Sequence, residues 1–139
     1  LGFTFNPQFT DDTAACMVVS DTIYVMLLTH DKFRGFTPNP IGDAKQATEV
    51  LVCLSQPSRA AVDELVRKAV AGGGNTYHPP RDYGVMYGHG FQDLDGHIWE
   101  LMYMDPAAVQ AQYPRRDGIR RGARRPGFIV QAPFPPLSA

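Results

Sequence analysis

Residues 91–105, Phe-Gln-Asp-Leu-Asp-Gly-His-Ile-Trp-Glu-Leu-Met-Tyr-Met-Asp, constrain the fold more than any other stretch of the chain. Asp95-Gly96 lies between two β-rich runs. Asp tolerates a left-handed backbone and Gly adopts it without a Cβ clash, so the pair predicts a hairpin turn. Beyond the turn, His97, Trp99, Leu101 and Tyr103 point to one face of a strand, while Ile98, Glu100, Met102 and Met104 point to the other. Glu100 is the one charge on an apolar face. A carboxylate buried there without a partner costs on the order of several kcal/mol. Either the face is wet or Glu100 has something to bind.

The remaining sequence supplies strands on both sides of one helix. Residues 3–10 read as an edge strand, because Pro7 removes a ladder donor. Residues 14–19 and 22–29 read as a hairpin joined at Ser20-Asp21, giving a three-stranded meander. In its last strand Tyr24, Met26 and Leu28 share one face and Ile23, Val25 and Leu27 the other, which predicts cover on both sides. Residues 30–46 have no regular period and contain Pro38 and Pro40. They read as a long crossover, either a pocket wall or a linker between half-domains. Residues 48–55 read as a buried strand carrying Glu49 near its start. Ser58 then caps a helix with Val62, Leu65, Val66, Ala69 and Val70 on one stripe, and Gly72-Gly73-Gly74 ends it. An extended segment near 76–80, a loop with Arg81-Asp82 and a strand over 85–92 complete the pattern.

At 139 residues the chain suits one domain with a sizeable core. It has no run approaching the roughly 20 apolar residues of a membrane helix and no recognisable leader, so a cytoplasmic protein is expected. Cys16 and Cys53 lie in apolar runs without Cys-x-x-Cys spacing and read as reduced core residues. The net charge of −1 conceals an asymmetry. Residues 1–114 contain seven Lys or Arg against thirteen Asp or Glu, whereas 115–139 contain six Arg and one Asp. This basic, Pro-rich tail lacks interleaved aromatics, which argues against nucleic acid as its partner.

Strand-helix-strand-strand-strand, ending in Asp-x-Asp-Gly-His-x-Trp-Glu-Leu, resembles the vicinal oxygen chelate superfamily of glyoxalase I, extradiol dioxygenases and bleomycin-resistance proteins. Phe5–Phe9, Ala14–Val18, Val25–Thr29 and Ala47–Leu51 are similar to an uncharacterised glyoxalase-like branch. The resemblance covers residues 1–106 and implies an α+β fold. Paired βαβββ units form a half-open barrel, the first unit lacking its first strand and helix. The partial first unit is 1–30, the crossover 31–46 and the second unit 47–106, within a domain ending at 114. The resemblance further implies a homodimer, a small-molecule ligand and a divalent metal held through Glu100 and Glu49. The matching position in the first unit is Met26, a soft thioether ill suited to such an ion, so the ligand set is incomplete.

Two functions follow from this resemblance. One is a glyoxalase- or dioxygenase-like enzyme with Glu100 and Glu49 as catalytic or metal-binding groups. The other is a metal-free protein that sequesters a small, partly aromatic molecule among Tyr24, Met26, Tyr87, His89 and Phe91. His89, between Gly88 and Gly90, is either a pocket group or a structural one; His97 reads as packing near the turn, and His30 and His78 as loop residues facing water. The apolar segment 127–134 resembles the branch's first strand and is expected to add to an open sheet edge.

Overall fold

Pro7 has no N–H to give to a ladder, and it cuts the first strand short. In the computed structural model, which describes residues 1–112, β1 is only Thr4–Phe5, and a 3-10 turn over Pro7–Phe9 replaces the expected continuation. The Asn6 side chain accepts a bond from the Gln8 N–H and caps that turn. The hairpin β2 (Ala14–Ser20) and β3 (Ile23–Leu28) follows, and the three strands form one antiparallel sheet in the order β1-β2-β3. Asp11 fixes the turn into β2 by accepting from the Thr13 hydroxyl, the Thr13 N–H and the Ala14 N–H.

The expected cover on both sides of β3 is corrected by the structure. Ile23, Tyr24, Met26 and Leu27 are all exposed among the described residues, because β3 is the sheet edge. Residues 30–46 are also less featureless than their prolines suggest. Thr29 caps a one-turn helix, α1 (His30–Phe33), before the chain runs without strand or helix to Leu51.

The second sheet comprises β4 (Leu51–Ser55), β5 (Arg81–Asp82), β6 (Met86–Gln92) and β7 (Ile98–Met104), in the order β4-β7-β6-β5. The strand expected from residue 48 begins three residues later, and one of its faces is exposed. Cys53 lies on that exposed face, which corrects its reading as a core residue; Cys16 is buried, and both thiols are free. The segment 76–80 carries no strand, and the short pairing with β6 falls on Arg81 and Asp82.

The parallel pair β4–β7 needs a crossover, and α2 (Arg59–Ala71) supplies it. Ser58 Oγ accepts from the Ala61 N–H at 3.1 Å, and Gly73, at φ +97°, takes the left-handed backbone that stops the helix. Val62, Val66 and Ala69 are the buried stripe. They pack on Phe91, Trp99 and Leu101 of the sheet, and Met17 of β2 joins the same cluster, so the two sheets share one core. Fully burying a side chain such as Leu101 or Val62 stabilises the fold by about 1.5–3 kcal/mol.

The architecture is a mixed α+β fold with two sheets, and from β4 onward it runs strand-helix-strand-strand-strand before α3 (Pro106–Gln112). Among the described residues no helix is long and apolar enough to cross a membrane. The arginine-rich tail and the strand expected at 127–134 lie outside the described residues.

Candidate functional site

Asp93 sets the register on which the site depends. Its Oδ1 accepts from the Asp95 and His97 N–H groups, and its Oδ2 accepts from Trp99 Nε1 at 2.9 Å. These bonds build a five-residue loop between Gln92 and Ile98 in place of a two-residue turn, with Gly96 at φ +99°. Gly90 therefore faces Glu100, Gly88 faces Met102 and Met86 faces Met104. A two-residue turn at Asp95-Gly96 would have paired Phe91 with Glu100. A slip of one residue moves every side chain to the opposite face.

The second sheet accordingly separates the residues that the sequence grouped. Tyr87, His89 and Phe91 lie on the side packed by α2. The Tyr87 hydroxyl donates to Asp63 Oδ1 at 2.7 Å, and this bond, aided by burial, pushes the phenol up to about 12. His89 Nδ1 is buried without a hydrogen-bond partner, 3.9 Å from the same carboxylate. Phe91 stacks on Trp99 and also lines a hollow of about 380 Å³ with Met17, Leu27 and Ala69. Tyr24 and Met26 stand on the edge strand of the other sheet, where the Tyr24 hydroxyl donates to the Asp21 carbonyl. Glu49 precedes β4 and is exposed.

Glu100 lies on the opposite, open face of the second sheet, beside Cys53 on β4 and Gly90 on β6. Its partners come from a segment that has no sequence period. The chain leaves α2 through Gly73-Gly74 and pairs Asn75 with Gln92, which carries Tyr77 and His78 along the β6 edge. The Tyr77 hydroxyl donates to Glu100 Oε1. Burial and that carboxylate together hold the phenol far above its ordinary range. Gly90 makes this possible, since a Cβ there would lie 2.9 Å from Tyr77 Cζ. His78 Nδ1–H donates to the Pro79 carbonyl at 2.8 Å, and its Nε2 stands 3.8 Å from Glu100 Oε1. His78 is thus turned inward to the carboxylate rather than to water. Neither residue was selected from sequence, which read His78 as a loop residue facing water and gave Tyr77 no role.

Beyond Glu100 the open face carries Met102 and Met104 beside the polar Ser55 and Gln56. Cys53, Ser55, Gln56, Met102 and Met104 line a shallow, open hollow of about 340 Å³. Burial and the Glu100 charge push the Cys53 thiol up, which keeps it protonated. Among the described residues no group of three or more His, Cys, Asp or Glu side chains stands where it could hold one metal ion. With Glu49 off the strand and Met26 on the other sheet, the donors do not fit the divalent ion that the family resemblance implies.

No family model and no curated protein matches the chain. Solved structures do. A hypothetical protein from S. aureus is 26% identical at a TM-score of 0.61, covering 73% of this chain and 76% of that one. A glyoxalase/bleomycin resistance protein/dioxygenase family enzyme from Burkholderia phytofirmans PsJN is 14% identical at 0.60, covering 75% and 81%. A glyoxalase/bleomycin resistance protein/dioxygenase from Nocardioides is 21% identical at 0.55, covering 74% and 68%. The chain therefore has the fold of the glyoxalase/bleomycin resistance/dioxygenase proteins, the vicinal oxygen chelate fold.

Proposed function

We propose that the protein is a metal-free member of the vicinal oxygen chelate superfamily that binds a small, partly aromatic molecule on the open face of its second sheet. Glu100 is the polar anchor of this site. The observation that carries the reading is a single carboxylate, held by a phenol beside an imidazole, next to Cys53 on the same sheet face as a hollow lined by Cys53, Met102 and Met104. Few convergent polar groups in an apolar concavity are the usual makeup of a ligand site. The metal-dependent lyase or dioxygenase reading has less support, because among the described residues Glu100 has His78 beside it but no group of three or more His, Cys, Asp or Glu side chains gathers there.

Thermal melting of the wild type and Glu100→Gln in the presence of a library of small aromatic compounds tests the proposal. A ligand at about a hundred times its Kd stabilises the native state by about 2.7 kcal/mol. The expected result is a compound that raises the melting temperature of the wild type and leaves Glu100→Gln unmoved. A stoichiometric divalent ion in protein purified without chelator, lost in Glu100→Ala, would overturn the metal-free reading and restore the enzyme.

The same reading includes a homodimer. Its support is the row of exposed apolar side chains on the β3 edge. It also includes residence in the cytoplasm, supported by two unpaired cysteines and checked by cell fractionation.

A further inference from the structure

Arg81 and Glu100 stand on one face of the second sheet with two glycines between them. Arg81 pairs with Gly88 across β5–β6, and Glu100 pairs with Gly90 across β6–β7. Residues opposite each other in an antiparallel pair share a face, and Gly88 and Gly90 are two apart, so all four positions look the same way. The Arg81 charge also reaches Tyr77, where it opposes the upward push of burial and Glu100 on the phenol.

The floor between the two charges is bare backbone. Tyr77 lies over its Gly90 end, while a Cβ added at Gly88 would meet only the Leu101 carbonyl oxygen, at 3.8 Å. Among the described residues neither charge is matched by an opposite one from an acid or a strong base. Among the described residues Arg81 forms no ion pair, and Glu100 is flanked by a phenol and an imidazole rather than by Lys or Arg. Strand spacing and rise put the two Cα atoms about 12 Å apart. Once the reach of both side chains is allowed for, that separation suits charges at opposite ends of a ring rather than on one carbon.

Building on the small-molecule reading above, we propose that this face takes a flat dipolar ligand, with its acidic group on Arg81 and its amine on Glu100. Tyr77 holds the Glu100 end until the ligand arrives. The exchange is favourable because an ammonium–carboxylate bond is stronger than a phenol–carboxylate bond. Tyr77 is able to yield, since it is half-exposed on a loop, whereas Glu100 sits in the central strand β7.

Calorimetric titration with 4-(aminomethyl)benzoate, benzylamine and benzoate tests the assignment. The dipolar probe is expected to bind the wild type about tenfold more tightly than either single-charge probe. Arg81→Ala lowers its affinity to the level of benzylamine, Glu100→Gln lowers it to that of benzoate, and Tyr77→Phe raises it by removing the competing hydroxyl. Equal binding of benzylamine and the dipolar probe, or an Arg81→Ala variant that binds like the wild type, overturns the two-ended site. Failure of all three probes to bind does so as well. The small-molecule reading itself falls only if the aromatic library also yields no ligand that depends on Glu100.

Discussion

Gly90→Ala tests directly how Glu100 is held. The new Cβ would come within 2.9 Å of Tyr77 Cζ and 3.0 Å of the Trp99 carbonyl oxygen, and nearer still to the Tyr77 hydroxyl. Trp99 belongs to a strand paired on both sides and has little room to shift. Tyr77 is 42% exposed on a loop, so the phenol is the group that moves and its bond to Glu100 breaks. Losing that bond costs about 0.5–1.5 kcal/mol, with the lower end apt for a half-exposed pair. Residual crowding on the Trp99 carbonyl adds about 1 kcal/mol. Replacing Gly within a strand returns about 0.5–1 kcal/mol of chain entropy. The net expectation is a loss of about 1 kcal/mol, read by urea denaturation. A second readout is sharper. Near about pH 10, where ordinary tyrosines titrate, ultraviolet absorbance should show one more phenol of the six ionising in Gly90→Ala than in the wild type. The placement of Tyr77 over Gly90 is refuted if the variant matches the wild type in both stability and phenol titration.

Two further outcomes follow from the same geometry. Tyr87 is pushed up to about 12 by its bond to Asp63, so the neutral phenol is favoured in the folded state. Its contribution is complete below the ordinary phenol range near about pH 10 and is lost as pH rises toward about 12. The stability difference between the wild type and Tyr87→Phe should therefore shrink across that window in urea titrations, and a constant difference would contradict the assignment. For the dimer, sedimentation equilibrium should give the wild type twice the 15.3 kDa chain mass, and Ile23→Lys with Met26→Lys should give the single mass. A monomeric wild type at micromolar concentration would refute it.

The fold was legible where one period ran unbroken. The stripe of Val62, Val66 and Ala69, capped by Ser58 and stopped at Gly73, specified the helix and the face that it buries. Alternation along β7 placed Glu100, Met102 and Met104 together and set them opposite Trp99 and Leu101. The partners of Glu100 were not legible, for a physical reason. Strand alternation specifies which residues of one strand share a face, but the face shared between two strands depends on the loop joining them. Asp95-Gly96 suggested a two-residue turn, which would have brought Phe91, His89 and Tyr87 to the side of Glu100. The three bonds that Asp93 accepts lengthen the loop and bring glycines there instead. Tyr77 and His78 reach the carboxylate only because those glycines leave space. Such a role has no signature within residues 75–80 themselves.

The first sheet carries the complementary lesson about apolar strands. Residues 23–28 are apolar on both faces, and that pattern ordinarily marks a strand with cover on each side. Within the chain, Met17, Val19 and Val25 turn to the shared core, while Tyr24 and Met26 face outward from the sheet edge. The pattern and the exposure are reconciled if the missing cover comes from a second copy of the chain. Exposure of Ile23, Tyr24, Met26 and Leu27 in a lone chain leaves a contiguous apolar edge of the kind that soluble monomers seldom carry. Association at that edge would leave the Glu100 face of the other sheet open, because β3 and β7 belong to different sheets. A charge introduced on β3 is therefore expected to change the mass in solution without changing the affinity of the Glu100 site, and joint loss of both would place the ligand between copies.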